Sequence, residues 1–297
     1  MLGVVNLDKP VGPTSHDMVD LLRRLTGTRR IGHAGTLDPL ASGVLPILVG
    51  AATRFSEELT GGRKRYEALI RLGERSATDD AQGPIEPTDG PIPSDESIAA
   101  AIAALVGTYE QRPPAFSARK LDGRTAHRAA RAGDMMDLPP RLVTVDAADL
   151  LGIERADSTA DVRIDVRCGP GTYVRSIARD MGEALGCGGH LQALRRTEAA
   201  GLRVDDAVSP TDLERLVDDG RLPEAILPVD RLLMLPSVVL ASDAAWRFVH
   251  GSAQAIDGAG DSARVKVFDA DDRLLGVGSL LAGELRPEKV LPLERSE

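Results

Sequence analysis

The sequence predicts an α+β protein with a small β-rich domain at its C-terminus. Three observations carry this. Short alternating strands and amphipathic helices interleave through residues 1–234, the character of the chain changes near Leu235-Pro236, and the last sixty or so residues carry a hairpin pattern. With 297 residues, 42 % of them hydrophobic and 27 % charged, the chain can bury a real core, which excludes disordered and fibrous classes. The expected division is residues 1–234 for the main domain and 235–297 for the appendage.

The elements follow in order. Leu2 to Leu7 reads as a strand, and Asp8-Lys9-Pro10-Val11-Gly12-Pro13 requires a turn. Thr14 or Ser15 can cap a helix whose Met18, Leu21, Leu22 and Leu25 share one face before Gly27 ends it. Gly32 to Gly43 holds three glycines, its ends included, and one proline around His33 and Asp38 and reads as a loop, and Val44 to Val49 is a buried apolar run. Tyr66 to Leu72 alternates as a strand does, residues 76–96 form a surface excursion without a single cation, and a helix starts at Ser94 or Asp95. Val162 to Cys168 is a strand running into Gly169-Pro170-Gly171 and a helix carrying Val174, Ile177, Met181 and Leu185, closed by Gly186. An acidic helix covers Ser209 to Asp219. In the appendage, Arg264 to Phe268 and Leu274 to Leu280 form a hairpin about a turn at Asp269 to Asp272.

No run of about 18 apolar residues appears, and Met1 to Lys9 lacks the pattern of a secretory signal, so a membrane location is not expected. Cys168 and Cys187 form no metal-ligand spacing, and reduced thiols in the cytoplasm are the expectation. The formal charge of −9 argues in bulk against a nucleic-acid partner. Divided along the chain it says something else. Residues 1–75 carry eleven cations against eight acids, 112–142 seven against three, and 163–203 seven against four, whereas 76–111 carry seven acids and no cation. The basic segments are those that hold the glycine-rich loops.

Taken alone, an Asp between Gly and Pro is most often a turn former. Around Asp38, however, Gly32, Gly35, Pro39 and Gly43 define a rigid loop that presents His33 and Asp38 five positions apart. The run Gly32-His33-Ala34-Gly35-Thr36-Leu37-Asp38-Pro39-Leu40-Ala41-Ser42-Gly43-Val44-Leu45 closely resembles the catalytic motif of the TruB family of pseudouridine synthases. Asp8-Lys9-Pro10 with Gly12, Thr14 and Ser15 is similar to that family's first motif, Lys64 and Tyr66 to its Lys-x-Tyr strand, and Gln111 to Lys120 to its Gln-x-Pro-Pro segment. The runs Gly169 to Gly182 and Leu194-Arg195-Arg196-Thr197 complete a collinear set over residues 1 to 200. Phe116 and His127 depart from it, standing where the family usually has Tyr.

The resemblance implies the pseudouridine synthase fold, with a mixed, mainly antiparallel sheet and a C-terminal PUA-like domain. It further implies isomerisation of a uridine in RNA, at position 55 in the T-arm loop of tRNA, by a monomer without metal or cofactor. By the same resemblance Asp38 is the nucleophile, Arg175 its cationic partner, and Tyr66 the residue that stacks on the flipped uracil and removes a proton. His33 would fill the place of the extruded base and Leu194 would line the base pocket. Tyr173, Lys9 and Lys64 are placed with the RNA- or base-binding residues, Lys9 either reaching a phosphate or holding the loop. The alternative partners of Arg175 are Asp180 and Glu183 on its own helix. The competing function is an RNA-folding chaperone in which catalysis is secondary.

Overall fold

The computed structural model describes residues 1–116, 120–121, 124–125, 136, 138–256, 260 and 262–292. His127 and part of the Gln111 to Lys120 segment lie outside them. The first strand, β1 (Gly3–Lys9), leads through the proline turn into α1 (Ser15–Thr26), which opens on a Thr14–Asp17 capping box and ends at Gly27 in the left-handed conformation. Next come β2 (Ile31–His33), β3 (Ala41–Val49), β4 (Lys64–Leu72), α2 (Asp95–Ala103) and β5 (Gly107–Gln111). They are followed by β6 (Arg141–Arg155), β7 (Ala160–Cys168), α3 (Val174–Ala184), β8 (Gly189–Ala199), α4 (Pro210–Asp218) and β9 (Ile226–Leu227).

The main sheet runs β9-β1-β3-β8-β4-β7-β6-β5, with β2 added on β3. Every pair on this path is antiparallel except β3 with β8, which run parallel with Leu194 opposite Ala41 and Arg196 opposite Gly43. That parallel contact is the architectural key to the site, because it sets the loop entering β3 against the middle of β8. It depends on Gly43, where φ is +99° and a Cβ would stand 2.2 Å from the Arg196 carbonyl oxygen.

Helices α1, α2, α3 and α4 send Leu22, Ile98, Ile177 and Leu213 into one core with Val5, Leu7, Leu45, Ile47 and Ile70. The alternate residues of β1 and β3, Val4, Val44 and Leu48, enter a second core with Phe55 and Leu59. Burial on both faces explains why β3 reads as an unbroken apolar run rather than an alternating one.

The second core also takes Val277 and Leu291 from the C-terminal region. That region forms a separate sheet from β10 (Ser237–Val239), β11 (Gln254–Ala255), β12 (Ser262–Phe268), β13 (Leu274–Leu281) and β14 (Glu284–Val290), in the order β10-β12-β13-β14-β11. Its hairpin falls where the sequence predicts it. The region also holds a helix that the β-rich reading does not include, α5 (Ser242–Val249), which buries Ala245 and Phe248.

Two further expectations change. His33 is not in a loop but pairs from β2 with Ile47 on β3, so the irregular loop is confined to 34–40. The excursion over 76–96 is only partly a surface feature. Leu191 donates its amide to the Asp79 carbonyl and accepts from Ala81, which pins this stretch to β8 and buries Asp80.

Candidate active site

The loop 34–40 is held in shape by groups whose partners are backbone atoms. Ser15, at the start of α1, donates its hydroxyl to the Leu37 carbonyl at 2.9 Å and accepts the Leu37 amide at 2.8 Å. Arg196, fully buried on β8, reaches under the loop and donates from Nε to the Val44 carbonyl at 2.7 Å and from Nη2 to the Gly35 carbonyl at 3.0 Å. A buried guanidinium is tolerated only when its donors are satisfied, and here they are satisfied by the loop itself. Arg196 therefore makes the loop conformation a condition of its own burial.

Asp38 stands at the end of this loop, half-exposed, with its Oδ2 2.9 Å from Nε of Arg175. Arg175 lies in the first turn of α3 and is 5 % exposed. Its other nitrogens are fixed by the excursion and by the Gln-Pro-Pro segment: Nη1 donates to the Thr78 carbonyl at 3.2 Å and lies 3.5 Å from Oδ2 of Asp80, and Nη2 donates to the Phe116 carbonyl at 2.9 Å. Asp80 in turn accepts from the Thr78 hydroxyl at 2.6 Å and the Gln82 amide at 3.1 Å. The guanidinium is thus clamped between two carboxylates, one buried and one facing the cleft. The alternative partner Asp180 is taken by Arg179, which also pairs with Asp79 at 2.9 Å.

These groups open on a cleft of about 290 Å³ lined by Asp38, Tyr66, Arg175, Leu194, Tyr173 and Lys64, with Arg196 and the Gly169–Thr172 turn. Its size is at the small end for ligand sites and suits one nucleoside rather than a longer segment. Burial pushes the Asp38 carboxyl above its ordinary value, Arg175 opposes that shift, and Asp80 adds to it. Burial also raises the Tyr66 phenol, so this side chain is neutral at pH 7. Tyr173 is set in place by Gln111, whose amide accepts the Tyr173 N–H at 2.9 Å and donates to its carbonyl at 3.1 Å.

Of the residues predicted from sequence, the cleft brings together Asp38, Tyr66, Arg175, Leu194, Tyr173 and Lys64. His33 is outside it, half-buried beside the loop. Its Nδ1 has no partner among the described residues, and burial together with Arg196 lowers its pKa, which favours the neutral ring at pH 7. Of the two readings of Lys9, reaching a phosphate or holding the loop, its position fits the second and leaves no surface for the first. It is wholly buried, with Nζ donating to the carbonyls of Pro10 and Pro13 at 2.8 Å each, and its pKa is lowered to about 8 by burial. It is the internal cation of the proline turn. Lys64 is turned the same way, donating to the carbonyls of Thr60 and Gly62, with its pKa lowered to about 8 by burial and by Arg196. Asp80 and Thr78 are the site residues that sequence reasoning missed.

A mixed sheet thus delivers a carboxylate on a rigid loop to a clamped arginine beside a small cleft, the arrangement that the resemblance to pseudouridine synthases leads one to expect. The fold is shared with solved structures: a Cbf5–Nop10–Gar1 complex at 30 % identity and TM-score 0.75, covering 97 % of this chain and 84 % of that one, and an H/ACA RNP bound to a substrate RNA containing 2′-deoxyuridine at 27 % identity and TM-score 0.75, covering 98 % and 85 %. The chain belongs to the TruB family. It matches the family descriptions "TruB family pseudouridylate synthase (N terminal domain)" over residues 23–174, "tRNA pseudouridylate synthase B C-terminal domain" over 175–234 and "Pseudouridine synthase II TruB, C-terminal" over 236–291. Relatives named tRNA pseudouridine synthase B include that of Burkholderia mallei (strain NCTC 10247), 43 % identical over 97 % of this chain and 96 % of its own length. That of Ralstonia pickettii (strain 12J) is 41 % identical over 98 % and 94 %.

Proposed function

We propose that this pseudouridine synthase acts on tRNA and converts uridine 55 of the T-arm loop to pseudouridine, with Asp38 as the nucleophile. The observation that carries the reading is the Asp38–Arg175 pair at 2.9 Å on the wall of the cleft. In the reaction the N1–C1′ bond breaks, the uracil turns within the cleft, the C5–C1′ bond forms, and the proton lost from C5 is balanced by the one gained at N1. Attack by a carboxylate, at the sugar C1′ or at C6 of the base, requires the ionised form. Arg175 favours that form against the burial that opposes it.

The base must leave the RNA stack to enter a cleft of this size. Leu194 and Tyr66 supply its apolar and aromatic walls. Held as a phenol, Tyr66 contributes first by packing on the base, and it can take the C5 proton only by passing its own hydroxyl proton on. His33, neutral and beside the loop, is suited to fill the gap in the stack without placing a charge there. Phosphate contacts from the basic segments would supply the affinity, which should fall with salt.

The reading is tested by incubating the protein with unmodified tRNA and mapping pseudouridine at nucleotide resolution. The expected result is modification at position 55 alone. Modification elsewhere, with position 55 left as uridine, would overturn the T-arm assignment.

A further inference from the structure

Among the contacts that fasten the C-terminal sheet to the main domain, one buried carboxylate takes two of its cations. Glu58 lies in the short helix Ser56–Thr60, and its side chain is 6 % exposed. One of its oxygens receives Nη2 of Arg264 from β12, and Nζ of Lys289 from β14 lies 3.0 Å from that oxygen and 3.1 Å from the other. Lys289 also holds Glu57 at 2.7 Å, and Arg264 is braced by Glu288 at 2.9 Å. A carboxylate this buried between two cations is held firmly in one geometry, because removing either cation leaves part of its charge uncompensated. The neighbouring Leu59 is buried in the core shared with Val277 and Leu291, so apolar packing and ion pairing anchor the same helix.

The far end of that helix faces the reaction. Thr60 lines the cleft, and the carbonyls of Thr60 and Gly62 are the acceptors of Lys64, which begins β4 two residues before Tyr66. An unbroken path therefore runs from Arg264 and Lys289 through Glu58 and the helix end to Lys64 and the floor of the cleft.

We propose that Glu58 is a positioning residue for the pseudouridine reaction, through which the docked C-terminal domain fixes the Thr60–Lys64 turn beneath the base. This makes the C-terminal domain part of the catalytic apparatus as well as a neighbour of it. The inference rests on the assignment of the Asp38 cleft as the reacting site. The two fail differently, since an error in that assignment leaves Asp38→Asn active, whereas an error here leaves the Glu58 variants at full rate.

The test uses the full-length protein with an isolated T-arm stem-loop as substrate. Glu58→Gln should lower kcat about three- to tenfold with KM unchanged within twofold, the split expected when the floor is misplaced but the RNA contacts are intact. Arg264→Met combined with Lys289→Met should give the same defect from the other side of the contact. Adding Glu58→Gln to that pair should lower kcat no further, because all three act through one node. Glu58→Asp, which keeps the charge, should recover part of the loss. Thermal melting above the assay temperature establishes that each variant is folded, and if Glu58→Gln does not fold the Arg264 and Lys289 pair serves alone. Wild-type kcat in a folded Glu58→Gln or in the folded pair, or additive losses in the triple variant, would overturn the proposal.

Discussion

The floor and the wall of the cleft both hold buried cations, and the difference between them lies in what the cations face. On the floor, Lys64 and Arg196 donate to backbone carbonyls of Thr60, Gly62, Gly35 and Val44, and Lys9, buried in the proline turn outside the cleft, does the same to Pro10 and Pro13. Their hydrogen bonds go to uncharged groups, so they fix the chain, and their charge reaches the site only as a secondary influence: Lys9 adds a little to the pull of Arg175 on Asp38, and Arg196 disfavours protonation of His33. On the wall, Arg175 faces Asp38 and Asp80, and one of those carboxylates is open to the cleft. The same burial that makes a lysine or arginine a scaffold on the floor makes an arginine a chemical partner on the wall. A carboxylate whose ionisation is opposed by burial needs that cation to be reactive at neutral pH.

The contrast can be broken first at the wall. Arg175→Met should lower the single-turnover rate about 10³-fold, equivalent to about 4 kcal/mol of activation energy, while the protein stays folded. The floor should respond in the opposite sense. Arg196→Met removes the donors that hold Gly35 and Val44 and should cost about 3 kcal/mol of stability in denaturant unfolding, with activity lost through the loop and not through the carboxylate. The smallest effect is the most specific. With Asp38 raised by burial, the acid limb of the wild-type rate should lie above pH 3.8, the ordinary aspartate value. Because Arg175 pulls that value down, its replacement should move the limb to higher pH in whatever residual activity remains. A charge-conserving change among the scaffold cations, Lys9→Arg, should leave the limb in place, and a scaffold variant of this kind that shifted it would erase the distinction.

Much of this was legible in the sequence because the signals are local. The Thr14–Asp17 capping box, Gly27 and the alternation of Tyr66 to Leu72 each report a structure formed within a few residues. The Asp38 loop was legible for the same reason, with its glycines and proline confined to a dozen positions. Asp80 was not. It sits in a stretch of acids without a cation, and its burial comes from pairing of 79–81 with Leu191, more than a hundred residues away. For Lys9 the sequence left two readings open, phosphate contact or holding the loop, and only the folded turn, with the Pro10 and Pro13 carbonyls enclosing it, favours the second. The helix α5 escaped because eight residues with two buried positions give too short a period to distinguish from a strand.

The segmental reading of charge has a parallel outcome. The acidic 76–111 segment supplies Asp79 to the partly buried Arg179 and Asp80 to the buried Arg175, so part of the acid that gives the chain its net −9 neutralises cations in and beside the site. Its remaining acids do not oppose RNA binding at the basic segments simply by being counted with them.

In the proposed reaction the Asp38 carboxylate does the chemistry and the surrounding residues place and charge it. The most direct measurement is the single-turnover rate of Asp38→Asn on unmodified tRNA, with tRNA affinity measured on the same preparation. Affinity within a few-fold of wild type and a rate reduced by at least about 10³-fold are predicted. Pseudouridine formed at the wild-type rate by the Asn variant would contradict the account.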